Sequence, residues 1–227
     1  MGVEVWHWEN SSQILADPEL LRTLVNTGIG AVVLTTGSIA VNSMPAYAFA
    51  RLEFRGKRFV WPAVLMTMFI PGMTILLTSL IVVTKLPMLD TVAVLIIPGM
   101  AAAAHIFFVR QFHLNIPSSL EEAAVVDGCG RWGVYLRIFL PLSTAPFVVV
   151  GITSFMAFWD NFVWPVMTIT SPELYQVQQH LAAFRGERAS ELGLLMAGSA
   201  CAAMPIIVIF LIFQKQIIAT IKMAGLK

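Results

Sequence analysis

The chain reads Pro117-Ser118-Ser119-Leu120-Glu121-Glu122-Ala123-Ala124-Val125-Val126-Asp127-Gly128 and, ten residues further on, Ile138-Phe139-Leu140-Pro141. This is the centre of a polar segment, 110–137, between two long apolar runs. Pro117-Ser118-Ser119 predicts the start of a helix, with Ser118 and Glu121, or Ser119 and Glu122, fitting a capping box. The helix is expected over Leu120 to Asp127, and Gly128 is placed to end it in a left-handed conformation. Leu120, Ala123, Ala124 and Asp127 fall near one face by three-and-four spacing, where small alanines admit another surface. Glu121, Glu122 and Asp127 offer anionic contacts to a basic partner. A helix this short is marginal alone and must pack on something. Spacing alone fits two readings: a handle for another protein, or a connecting helix lying on its own bundle. Pro141 is expected where the next helix enters a membrane.

The rest of the chain supplies the membrane. Hydrophobic residues make up 58% and charged residues 12%, and the mean hydropathy is +0.80. A soluble domain carries about twice that charge. The expected fold is all-α, a polytopic transmembrane bundle forming a single domain over 1–227. Its five spans are placed at about 24–50, 59–84, 91–109, 138–160 and 192–214, each long enough to cross a bilayer. Prolines such as Pro62 and Pro71 are read as tolerated within spans. The fourth run continues to about Pro172 and is read as one helix followed by a partly buried outer segment near Asp160-Asn161. A net charge of +1 gives no hint of nucleic-acid binding. Cys129 and Cys201 form no metal or disulfide pattern. Residues 1–22 hold acids and tryptophans where a signal peptide has a basic start and an apolar run, so no cleavable signal is expected.

Lysine and arginine set orientation. Arg51, Arg55, Lys57 and Arg58 follow the first span, Arg110, Arg131 and Arg137 follow the third, and Lys215, Lys222 and Lys227 end the chain. The opposite side has only Arg22, Lys85, Arg185 and Arg188. The central loop and the C-terminus are therefore expected in the cytoplasm, and the N-terminal tail with Glu4, Glu9, Asp17 and Glu19 outside.

The pattern Glu122-Ala123-Ala124…Gly128…Ile138…Leu140-Pro141 resembles the signature loop (the EAA motif) of binding-protein-dependent ABC importer permeases, at the family spacing. Ala46-Tyr47-Ala48-Phe49-Ala50-Arg51-Leu52, Trp159-Asp160-Asn161-Phe162-Val163-Trp164-Pro165 and Leu194-Leu195-Met196-Ala197-Gly198 resemble the carbohydrate-uptake branch, of the maltose-permease MalG type. The resemblance implies a type I ABC importer permease fold. Such permeases have six spans with both termini inside; this sequence reads as five, lacking the first, with Met1 to Arg22 similar to the outer segment after it. The resemblance further implies a multi-pass protein of a bacterial or archaeal cell membrane. Its partners would be a dimer of cytoplasmic ABC ATPase subunits, a second permease, an extracytoplasmic solute-binding protein, membrane lipid and a sugar substrate.

By the same resemblance, Glu121 to Asp127 form a coupling helix that docks on the ATPase. Gly128 allows its turn, and Ile138, Leu140 and Pro141 anchor the loop. The tail Lys215 to Lys227 approaches the ATPases, and the outer loop Ser171 to Glu191, with Tyr175, Gln176, Gln178, Gln179, His180 and Arg185, meets the binding protein. Read without the resemblance, that loop is equally a solvated connection.

The chain has no motor of its own. No G-x-x-x-x-G-K-[ST] occurs, and Gly128-Cys129-Gly130-Arg131-Trp132-Gly133 matches G-x-G-x-x-G outside any strand–turn–helix context. Those glycines are read as shaping the turn. The chain is expected not to be an enzyme and to need no cofactor or metal. Asp160 and Asn161 are candidates for the translocation path; the alternative for Asp160 is a structural hydrogen bond near the outer interface, with Trp159 and Trp164 in an aromatic belt. His105 either lines a polar path or bonds a backbone carbonyl. His113 is expected in solvent at the loop edge. Three other readings stay open: a permease for a non-sugar solute such as a glycerol phosphate, an intramembrane enzyme, and a non-transporting scaffold.

Overall fold

The structure, a computed structural model, describes the backbone of residues 8–187 and 192–225 and the side chains of 9–186 and 192–214. Glu4 of the N-terminal tail, Arg188 and Glu191 of the outer loop, and the side chains of Lys215, Lys222 and Lys227 lie outside the described residues. Among the described residues all regular structure is helical.

The central element is α2 (Pro18–Arg51), preceded by α1 (Trp8–Leu15). Asp17 caps α2 by accepting from the Glu19 amide at 2.9 Å, and Pro18 opens it. Its buried side carries Thr23, Thr27, Gly30, Ala31, Ser38, Asn42, Ser43 and Ala46, a stripe of small and weakly polar residues, flanked by the larger Leu20, Leu34, Tyr47 and Phe49. Such stripes let helices approach closely where lipid supplies no hydrophobic drive. At Gly30 the approach is obligatory, because a Cβ there would meet the Phe158 ring at 2.4 Å.

Around α2 pack α5 (Val92–Met100), α6 (Ala103–Leu114) and α10 (Thr144–Trp159). A core of Ala31, Leu34, Val94, Leu95 and Phe158 fills the space between them. The helix α13 (Leu192–Gly225) closes the bundle against α1, α10 and α12 (Val177–Glu187).

Among the described residues two helices are long and apolar enough to cross a membrane, and up to five segments qualify if each bent pair is one span. Three of the expected spans are bent pairs of helices. The second expected span is α3 (Lys57–Met66) and α4 (Gly72–Lys85), set at 103°. Pro71 lacks an N–H and forces Ile70 to an extended conformation, so this proline breaks the helix. The third is α5 and α6, bent by 44° where Ala101 and Ala102 run extended. In the fourth, α8 (Arg131–Val134), a π-turn over Tyr135–Phe139 and α9 (Leu140–Leu142) form one rod that turns 74° into α10. Ser143 makes that turn, donating its hydroxyl to the Phe139 carbonyl at 2.6 Å. The expected fourth span, from Ile138, thus includes this turn, and its longer helix, α10, begins at Thr144.

Past α10 the chain turns at Asp160 into α11 (Val163–Thr168) and then α12. The outer stretch, for which a plain solvated loop is one of two readings, is folded against the bundle. Gln176, Gln179 and His180 are buried, the Val177 amide donates to Thr27 Oγ1 at 2.9 Å, and Asn26 Nδ2 donates to the Glu173 carbonyl at 2.7 Å.

Candidate functional site

The central loop contains α7 (Ser118–Val126). It starts two residues earlier than expected and has no capping box: Pro117 occupies the cap in an extended conformation, and no side chain bonds the first amides. Ser118 and Ser119 thereby fall inside the first turn, beyond reach of those amides. The C-terminal end is as the glycine requires. Gly128 has φ +82°, its amide donates to Val125 at 3.0 Å, and the Cys129 amide donates to Ala124 at 2.9 Å. This pair of bonds is a Schellman motif, with Cys129 and Ala124 both packed against one buried cluster.

One arginine holds α7 to the bundle. Arg51, last residue of α2, donates from Nη2 to the His113 carbonyl at 2.8 Å and to the Ile116 carbonyl. Its Nε lies 4.0 Å from the Glu121 carboxylate, and its guanidinium stands 5.2 Å from the Phe139 ring centre. Behind it Tyr47, Ile116, Val134, Tyr135 and Phe139 form a buried cluster, joined by Ala124, Ile138 and Leu140. The Ser43 and Tyr135 hydroxyls bond at 2.7 Å across it. His113, expected in solvent, is buried here: its Nε2 meets Ser143 Oγ at 2.8 Å and its ring stands edge-on to Phe139.

The expected single face of α7 is thus divided. Glu121 and Ala124 turn toward the chain's own bundle. Leu120, Glu122, Ala123, Val125, Val126 and Asp127 stand in the open, Val126 at 87% exposure. Pro141 is exposed as well. An apolar, acid-flanked surface is presented on a helix whose other side is fixed.

The path candidates do not converge. His105 bonds hydroxyls, not a carbonyl: Ser38 Oγ at 3.3 Å and Thr153 Oγ1 at 3.2 Å. Ser154 donates to the same Ser38 oxygen at 3.2 Å. Asn42 completes this network and closes the break in the third span, donating to the Met100 carbonyl at 2.8 Å and accepting from the Ala102 amide at 2.9 Å. Irregular backbone at membrane depth needs such an internal partner. Asp160 and Asn161 lie apart from this set. The side chain of Asp160 is exposed, and neither makes a side-chain hydrogen bond among the described residues. Trp159 is no belt residue: it is buried and donates to the Ala202 carbonyl at 3.0 Å, while Trp164 donates to the Val94 carbonyl at 2.9 Å. Among the described residues no cluster of histidine, cysteine or acid could hold a metal.

Three residues had no structural role in the sequence reading: Arg51 (read as an orientation signal and as part of the Ala46–Leu52 stretch), Asn42 and Asp90. Asp90 sits between α4 and α5 at φ +56°, a conformation an aspartate tolerates. It accepts from the amides of Thr170 and Ser171, each at 2.9 Å, and from the Ser171 hydroxyl. An asparagine deep in an uncharged apolar run was the available signal for Asn42; nothing local marked the other two.

Residues 30–223 match the family described as "Binding-protein-dependent transport system inner membrane component". The arabinooligosaccharides transport system permease protein AraQ of Halalkalibacterium halodurans is 30% identical over 197 residues, which cover 87% of this chain and 71% of that protein. The sn-glycerol-3-phosphate transport system permease protein UgpE of Escherichia coli is 28% identical, covering 87% and 71%. A solved bacterial ABC transporter involved in the import of the acidic polysaccharide alginate superposes with a TM-score of 0.82 at 20% identity, over 95% of this chain and 81% of that one.

Proposed function

The chain belongs to the family of binding-protein-dependent transport system inner membrane components, and on that premise we propose that it forms, with a second permease, the translocation path of a carbohydrate importer. A dimer of cytoplasmic ATPase subunits drives the path, and α7 is the docking element. The observation that carries this reading is the division of α7: one side fixed to the end of α2 and to the rod that leads into α10, through Arg51 and the Tyr47–Phe139 cluster, the other exposed. A helix held in this way moves with the spans it is fixed to, so an ATPase that displaces it displaces the path. Glu122, Ala123, Val126 and Asp127 meet the ATPase in this reading. Glu121 orients Arg51, and Gly128, Ile138 and Leu140 keep the corner rigid.

A carbohydrate substrate is supported by the AraQ relative, and the UgpE relative keeps a glycerol phosphate as the second reading. Within this chain, the His105–Thr153 pair is a better path candidate than Asp160, because Thr153 is exposed and the pair offers hydroxyl and imidazole to a polyol. The binding protein docks on the outer side, over α12.

The test is Glu122→Lys in the assembled complex. Uptake and substrate-stimulated ATP hydrolysis are expected to fall about tenfold or more, since an exposed interface charge is reversed, while the chain stays in the membrane. Normal uptake with this substitution removes α7 as the docking element. A pull-down that recovers neither an ATPase nor a second permease refutes the importer assembly.

A further inference from the structure

Coupling leaves a second feature of the inner corner unused. A cavity of about 430 Å³ opens between the loop after α2, the start of α3 and the end of α6. Lys57, Arg58 and Arg110 face it, together with Phe54, Trp61 and one acid, Glu53. That acid is already engaged, accepting from Lys57 Nζ at 2.8 Å. Arg110 is fixed by its Nε, which donates to the Phe49 carbonyl at 3.1 Å, and by the Trp61 ring, 4.4 Å from its guanidinium carbon. Its terminal nitrogens have no hydrogen-bond partner among the described residues, and Arg58 has no acid within ion-pair distance there. The cavity therefore holds positive charge in excess, on an aromatic floor.

The surface leading away from it is apolar. Along and beyond α3, Phe59, Met66 and Phe69 are exposed at 66%, 67% and 86%. A charged recess continuous with an open hydrocarbon surface matches an amphiphile better than a free ion. We infer that the cavity binds the anionic headgroup of a phospholipid, its phosphate between Arg58 and Arg110 and an acyl chain along α3. Aromatic rings at the headgroup level and basic recesses between spans on the cytoplasmic side are suited to this. The inference rests on the proposed placement of residues 51–58 at the cytoplasmic face.

The assembled complex in neutral detergent, titrated with phosphatidylglycerol and with phosphatidylcholine and followed by native mass spectrometry, reads it directly. Retained phosphatidylglycerol adducts without phosphatidylcholine adducts are expected. Arg58→Gln should weaken the anionic lipid about fivefold, the effect of one basic side chain at an anionic surface. Arg58 is exposed, so this variant keeps the fold where Arg110→Gln also loosens Trp61. Equal retention of both lipids overturns the inference, as does unchanged phosphatidylglycerol binding in Arg58→Gln. Displacement by millimolar inorganic phosphate assigns the cavity to a soluble anion and overturns the lipid. Loss of the ATPase subunit from Arg58→Gln with lipid binding intact assigns the cavity to that subunit. Labelling of Glu53→Cys by an impermeant maleimide, in sealed vesicles of known orientation, scores the cytoplasmic placement separately.

Discussion

The two corners of the bundle are fastened by opposite charges. At the corner beside α7, proposed to face the cytoplasm and so called inner, a cation, Arg51, gathers the carbonyls of His113 and Ile116. At the outer corner an anion, Asp90, gathers the amides of Thr170 and Ser171. Each ties together backbone that is distant in sequence, and each leaves few orphan groups at a turn. Their surroundings differ. The Arg51 side chain is only 14% exposed and lies on an aromatic ring, whereas Asp90 keeps contact with water. A buried charge with fixed partners is costly to remove, and one in water is not. The inner fastening is therefore the stiff one, at the corner where the ATPase is proposed to push.

Substitution can break this contrast. Arg51→Met is expected to cost the most, about 3 kcal/mol, because two carbonyls and Glu121 lose their partner in the interior. The readouts are the thermal midpoint of the purified complex and uptake; if neither changes, α7 is not held from α2. Asn42→Leu comes next, at about 2 kcal/mol, since the Met100 carbonyl and Ala102 amide face hydrocarbon unpaired. It shows whether a neutral clamp at membrane depth matches a charged one. Arg51→Lys keeps the charge but not the planar fork, and about 1 kcal/mol is expected. A lysine as good as arginine would reduce the corner to simple attraction.

Asp90→Asn should have the smallest effect at neutral pH, and its signature is pH dependence. Bonds from the Ser171 hydroxyl, the Ser171 amide and the Thr170 amide hold the Asp90 carboxyl down to about 2, from an ordinary 3.8. A carboxyl depressed by folding contributes fully above its ordinary value and loses that contribution as pH falls toward the folded one. Hydrogen exchange at Thr170 and Ser171 should therefore rise between about pH 4 and 2 in the native chain. In Asp90→Asn that step should vanish. A native step near pH 6 would point to a different group.

What was legible in the sequence was local. Helix type, the glycine stop at Gly128 and the polar loop follow from neighbours in the chain, and the structure has them. The capping box failed on a local competitor, since Pro117 takes the cap by its own geometry. The turn at Ser143 depends on a bond four residues back that a run of apolar letters does not announce. Arg51, Asn42 and Asp90 were opaque for a different reason. The partners that make them clamps lie 58 to 81 residues away, and one sequence by itself carries no record of such pairs. Exposure on α7 was half legible: spacing put Ala123 and Ala124 on one face, but only packing against Tyr47 and Phe139 decided which of them turns inward.

The uninterrupted length of α2 has a mechanical corollary. At 1.5 Å per residue its 34 residues make a rod of about 50 Å. Its inner tip carries Arg51, and its outer end carries Asn26 and Thr27, bonded to Glu173 and Val177. A rod of that length tilted by about 5° moves its far tip by about 4 Å. That exceeds the reach of a hydrogen bond, so the outer segment must either ride with the rod or let go of it, and a small swing at one face of the membrane is felt as a full displacement at the other.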